Sequence, residues 1–419
     1  MRIFALLLLV SMCLSGRAGP ADGPTGLRVG ARLAEGGAVK IVCFGDSITG
    51  VYYHTGARRS WCDLLGIALA KIHPAARIGM INAGISGNDT AAALKRMEHD
   101  VLRHAPDLVV VMFGMNDVRS QAPEVFRRNL EKIVERAQRG GAEVILMTPN
   151  AISPDDTART PERLLAYAQI VRDVARERSL PLADTHSVYA AILTADRPAW
   201  ERLMSDNIHP NMRGHKIFAE EVARVITGRR VSLAELPALR PALPRVLARV
   251  RAGEPVRVVA MPPYDALIGP ALRAKFPDAV VQVTSWPPDP LSLAAIEAQA
   301  KEIGWWKFRR ESGSQPPDLV VVAVPSGARA PAGRFYRSYT WVLNWSLSME
   351  LKAGSPQWDC LVALPSVAEG ELQGEARAME TQALEVLGGQ DIPWFRRQPG
   401  DRRSAVELLS GELAPFLAL

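Results

Sequence analysis

A repeated rhythm constrains this chain more than any other feature. Short runs rich in Val and Ile, at 39–44, 78–81, 108–113 and 144–147, are separated by stretches of helix length. Strands spaced this way do not pair as tight hairpins. Each connection crosses over, which predicts one mainly parallel sheet with helices on both faces. The intervening stretches agree, since 123–139 and 161–178 place apolar residues at helical spacing with charges opposite, and Gly140-Gly141 stops the first. A last helix is predicted over 212–226. The expected class is therefore α/β, a three-layer sandwich.

The rhythm then occurs a second time. After Arg230, Pro237, Pro241 and Pro244 interrupt it, as a linker with a short helix would. Residues 256–261 mirror 39–44, and 317–322 repeat 106–111 letter for letter as Pro-Asp-Leu-Val-Val-Val. Residues 359–365 likewise correspond to 143–149. The matched runs keep their order and a nearly constant offset, which predicts a duplicated domain. A chain of 419 residues is also long enough for two cores. The expected division is 28–228, a linker at 229–253, and 254–419.

Composition narrows the function classes. At 48% hydrophobic and 22% charged residues the chain is globular. Its net charge of +6 is spread over scattered Arg pairs, which argues against a nucleic-acid footprint. Arg2, an apolar stretch at 3–14 and small residues around Ala18 have the layout of a secretory signal at 1–18, so an exported protein, periplasmic or extracellular, is expected. Met12 is bulky where a lipid-attachment site at Cys13 wants a small residue. No later run is long enough for an integral membrane segment. Cys43, Cys62 and Cys360 lack metal-type spacing and suggest no disulfide framework.

Four polar islands carry the chemistry. Gly45-Asp46-Ser47, Ser86-Gly87-Asn88 and Gly114-Met115-Asn116-Asp117 each follow an apolar run, and Asp206-Asn207-Ile208-His209 precedes the final helix. The carboxyl ends of parallel strands are where open α/β sheets build their sites. A Ser hydroxyl needs a base to take its proton, and a His base needs a third group to fix its tautomer. Asp206, three residues before His209, can reach Nδ1 through a turn and leave Nε2 for Ser47. Attack on an ester develops an oxyanion, for which Gly87 offers a backbone N–H and Asn116 a side-chain amide that does not ionise. A rival reading uses Asp46, Asp117, Asp206 and His209 as ligands of a metal pair acting on phosphate esters. Such centres usually want more His than one. A non-catalytic carbohydrate-binding protein is the alternative from outside enzymology.

These islands resemble the blocks of the SGNH hydrolase superfamily, also called GDSL esterases and lipases, over about residues 38–228. The resemblance implies a flavodoxin-like α/β/α fold, with Ser47 as nucleophile, His209 and Asp206 completing a triad, and Ser47, Gly87 and Asn116 forming the oxyanion hole. It implies neither metal nor organic cofactor. The family deacylates carbohydrates, phospholipids, thioesters and small esters, so a lipase, lysophospholipase or thioesterase stands beside an esterase acting on a small-molecule or carbohydrate ester.

Other residues have duller expected roles. Tyr52, Tyr53 and His54 either line the substrate pocket or pack on the body, Trp61 is assigned to the core, and His215 to the surface or a helix cap. In the second half, Tyr264 stands where Ser47 would be, Ser285-Trp286-Pro287-Pro288 replaces the second island, and Val324-Pro325-Ser326-Gly327 lacks the Asn. All seven His lie before residue 216, so a Ser-His relay is impossible there. That half is expected to be a non-catalytic copy serving packing or recognition. Its Trp286, Trp305, Trp306, Trp341, Trp345, Trp358 and Trp394 are expected to fill the core or the contact between halves, with a sugar-stacking surface as the alternative.

Overall fold

A computed structural model describes residues 26–307, 315–330, 334–347 and 357–417. The signal-like segment with Cys13 and Ala18 lies outside the described residues, as do the side chains of Trp305 and Trp306.

Two parallel five-stranded sheets organise the molecule. The first contains β1 (Ala38–Gly45), β2 (Arg77–Gly84), β3 (Leu108–Met112), β4 (Glu143–Met147) and β5 (Leu182–Ala183) in the order β2-β1-β3-β4-β5. The second contains β6 (Val256–Ala260), β7 (Val281–Ser285), β8 (Leu319–Val322), β9 (Asp359–Ala363) and β10 (Trp394–Phe395) in the order β7-β6-β8-β9-β10. Read strand for strand the two orders are the same. Moreover, the runs that match in sequence take equivalent places, β6 with β1, β8 with β3 and β9 with β4. The chain is thus an α/β protein, and its second sheet supports the duplicated fold that the sequence rhythm suggests.

The packing follows from the residues. Strand β3, Leu-Val-Val-Val-Met, is buried along its whole length because helices cover both faces. Helix Pro123–Arg139 begins with Pro at its first turn, turns Phe126, Leu130, Ile133, Val134 and Ala137 inward, and stops at Gly140. Each sheet has its own apolar cluster. Ala57, from the loop after the first strand, belongs to the second cluster, however, and Tyr53 packs against it. The connecting segment is shared in the same way, with Leu233 in the first cluster and Ala242, Leu243 and Val246 in the second. Cys43, Cys62 and Cys360 are free and buried. Among the described residues, no helix is long and apolar enough to cross a membrane.

The order places the ends of β1 and β3 side by side, paired from Ile41 with Leu108 to Gly45 with Met112. Connections leave β1 and β3 toward opposite edges of the sheet. Such a switch point opens a crevice at the carboxyl ends of the strands.

Candidate active site

Ser47 opens a one-turn helix, Ser47–Gly50, directly after β1. Asp46 caps it, its Oδ1 accepting from the Ile48 N–H at 3.0 Å. Burial pushes the Asp46 carboxyl up to about 7, an effect opposed by the Ile48 hydrogen bond and the charge of His209.

The Ser47 Oγ lies 2.9 Å from His209 Nε2. On the other side of that ring, His209 Nδ1 lies 2.8 Å from Asp206 Oδ2. The turn between them is closed by Asp206 Oδ1, which accepts from the N–H groups of Ile208 at 2.8 Å and His209 at 2.7 Å. One carboxylate thus uses one oxygen to fold the turn and the other to orient the imidazole. Burial works against the Asp206 charge, yet the attraction of His209 and these hydrogen bonds outweigh it and hold the carboxyl well below its ordinary range.

The loops after β2 and β3 meet beside this group. Asn116 Nδ2 donates to the Asn88 carbonyl at 3.0 Å, joining the third island to the second. Gly87 has φ +75°, a left-handed conformation that a residue with a Cβ adopts only with strain. Asp117 fixes the same corner, its Oδ1 accepting from the Thr90 N–H at 2.8 Å and its Oδ2 from the Gly114 N–H at 3.1 Å. Arg159, whose Nε donates to the Met115 carbonyl at 3.0 Å, adds a positive charge near Asp46 and Asp206.

The four islands therefore converge, and Ser47, His209 and Asp206 form one hydrogen-bonded series. Asp46 accepts within its own turn, and Asp117 is taken up by Gly114 of its own loop and by Thr90 beyond the second island. His54 joins Asp206 and His209 in a group whose potential ligand atoms lie within 4.8 Å of one another. The two rings, however, are stacked 4.1 Å apart and only 14° from parallel. Imidazole lone pairs lie in the ring plane, so two stacked rings do not converge on one ion.

Several contributors escape a sequence reading. Arg96 lies over the Phe44 ring at 4.6 Å and donates to the carbonyls of Gly45 (2.9 Å) and Ala83 (2.7 Å) and to Asn88 Oδ1 (2.7 Å), tying the ends of β1 and β2 to the second island. The only signal for it is a cation on the helix Thr90–Asp100, beside the inward-facing Ala93 and Met97. Asn150 Nδ2 supports the turn from behind by donating to the Ile208 carbonyl at 3.1 Å.

Trp61 is in the core as expected. Of the two roles expected for His215, the surface one is corrected, because the residue is buried, while its ring serves as a capping acceptor at the start of the helix Trp61–Ile72. His215 shares one helical stripe with Phe218, Ala219 and Val222, so its spacing outweighs its polarity. Its Nδ1 accepts from the Trp61 N–H at 2.9 Å, a donor that would otherwise be an orphan in the first turn of a helix. Burial lowers this imidazole to about 3.

Comparison with known proteins finds relatives over the first half of the chain. Residues 43–217, which hold all four islands, match the model of the GDSL-like Lipase/Acylhydrolase family. An acetylxylan esterase of Geobacillus stearothermophilus is 28% identical over 210 residues, 46% of this chain and 95% of that protein. An arylesterase of Vibrio mimicus is 27% identical over 186 residues, 44% of this chain and 86% of that one. Among solved structures, a lipase/acylhydrolase from Enterococcus faecalis is 29% identical and covers 46% of this chain and 97% of its own, with a TM-score of 0.40. With the islands, their order and the family match in agreement, residues 43–217 of this chain are a GDSL-like lipase/acylhydrolase domain.

Proposed function

We propose that this protein is an exported serine ester hydrolase in which Ser47, His209 and Asp206 act as a triad within a catalytic domain at 28–228. The observation that carries the reading is the series Ser47 Oγ to His209 Nε2 at 2.9 Å and His209 Nδ1 to Asp206 Oδ2 at 2.8 Å. Ser47 Oγ adds to the ester carbonyl while its proton passes to His209 Nε2, and Asp206 stabilises the imidazolium. The oxyanion is held by the Ser47 and Gly87 N–H groups and by Asn116 Nδ2. Collapse breaks the bond to the alcohol, which leaves with the proton from His209. Water, activated by the same imidazole, then releases the acid from the acyl-enzyme.

The substrate is assigned as a short acyl ester, an acetyl group on a carbohydrate. Supporting it are the signal-like segment, which would place the enzyme among extracellular polymers, and the similarity to a protein named acetylxylan esterase. Residues 254–419, joined through 229–253, are assigned no chemistry of their own, since Tyr264 stands at the position matching Ser47, the third-island equivalent has no Asn and no His follows His215. The test is hydrolysis of p-nitrophenyl esters of increasing chain length beside acetylated xylan and an acyl thioester. Activity should fall from acetyl upward. A preference for long chains or for the thioester would move the assignment to a lipase or thioesterase of the same family.

A further inference from the structure

The loop that follows the nucleophile runs into the other half of the molecule. Gly56, at φ +96°, packs so tightly on residue 391 that a Cβ there would lie 2.5 Å from the Asp391 nitrogen. The Asp391 N–H donates to the Thr55 carbonyl at 3.1 Å. Between this anchor and Ser47 sits His54, 1% exposed, with its ring flat on that of His209. His54 Nδ1 is 2.8 Å from Ser205 Oγ. That oxygen accepts from Asn344 Nδ2 at 2.7 Å, and Asn344 Oδ1 accepts from Gln390 Nε2 at 3.1 Å. Asn344 is fully buried. It belongs to the helix Phe335–Ser346, from which Trp341 also meets His54 edge-on at 6.3 Å.

We infer that the C-terminal half takes part in the hydrolysis: Asn344, acting through Ser205, holds His54 as a positioning residue in one neutral tautomer against the face of His209. The inference rests on the assignment of Ser47, His209 and Asp206 given above. An amide N–H directed at Ser205 Oγ occupies one of its lone pairs and leaves the hydroxyl proton free for His54 Nδ1. The His54 proton then resides on Nε2, which is buried and has no hydrogen-bond partner among the described residues. A neutral ring in this place fixes the plane of His209 and offers an aromatic face to the imidazolium formed when Ser47 gives up its proton. A charged ring would repel it.

The surroundings favour the neutral form. The titratable groups facing His54 are His209, Asp206 and His215. The Tyr53 ring packs on it at 4.1 Å, and from the second half Trp341, which does not ionise, meets it edge-on. Burial, reinforced by the charge of His209, holds this imidazole well below the ordinary histidine range.

The test compares the full-length wild type, Ser47→Ala, Asn344→Leu, His54→Ala and His54→Phe in steady-state kinetics on p-nitrophenyl acetate. Asn344→Leu and His54→Ala should lower kcat about ten- to a hundredfold with little change in KM, as loss of alignment does. His54→Phe, which restores a neutral flat ring against His209, should recover part of that loss. If folded Asn344→Leu and His54→Ala both keep kcat within about twofold of wild type, the inference is overturned while an inactive Ser47→Ala still upholds the triad. An active Ser47→Ala would instead remove the triad on which the inference stands.

Discussion

The Arg59 guanidinium and the Asp391 carboxylate meet at 2.7 Å with side chains only 6% and 4% exposed, and so form a buried ion pair across the two halves. Arg59 Nη2 also donates to the Pro237 carbonyl at 3.1 Å, which ties the connecting segment to the same point. Asp391 thus braces the loop after the nucleophile twice, through its backbone N–H and through this pair.

Removing one partner strands the other charge away from water. Asp391→Ala is expected to destabilise the protein by about 3–5 kcal/mol, as for other broken buried pairs. Urea unfolding followed by fluorescence measures this directly. A loss below about 0.5 kcal/mol, the range of an ordinary surface substitution, would mean that the pair does not hold the halves together.

Asn116→Ala should lower kcat by about 10²–10³ and change KM far less, because an oxyanion donor is best aligned only when the tetrahedral charge forms. Steady-state kinetics on p-nitrophenyl acetate separate the two constants. A rise in KM alone would make Asn116 a substrate-positioning residue.

Asp46 gives a prediction with a definite sign. Its carboxyl is raised to about 7 by burial, so its contribution to stability is complete below the ordinary value of 3.8 and is lost as pH rises through about 7. Asp46→Asn cannot ionise and keeps an oxygen for the Ile48 N–H. Between pH 4 and pH 8 the stability of the variant relative to wild type should shift in its favour by up to roughly 4 kcal/mol. Denaturant titrations at the two pH values test it, and an unchanged difference would contradict the buried, neutral Asp46.

Much of this arrangement is legible in the chain because it is local. Strand rhythm, the Gly140 helix stop and the Asp206 to His209 spacing each depend on residues a few positions apart. The second sheet was legible for a related reason, since Pro-Asp-Leu-Val-Val-Val recurs at 317–322. Contacts made across the fold left no such trace. Ser205 and Asn344 are 139 residues apart, and His54 and Ser205 are 151 apart, so neither pairing follows from spacing. The tryptophans show the same limit. Trp286 and Trp358 are buried, Trp394 is 37% exposed, and Trp341 and Trp345 stack on each other at 5.0 Å. Their number indicated burial, but only the fold places Trp341 beside the histidine pair.

The triad is tested most directly by the rate of p-nitrophenyl acetate hydrolysis by purified full-length Ser47→Ala, His209→Ala and their double variant, each with circular dichroism as a check on folding. Members of one proton-transfer unit fail together. Each single variant should lose nearly all turnover, the double variant should be scarcely worse than either, and chelator should leave the wild type unchanged. Near-normal turnover by folded Ser47→Ala, or wild-type activity abolished by chelator and restored by a divalent metal, would contradict the triad.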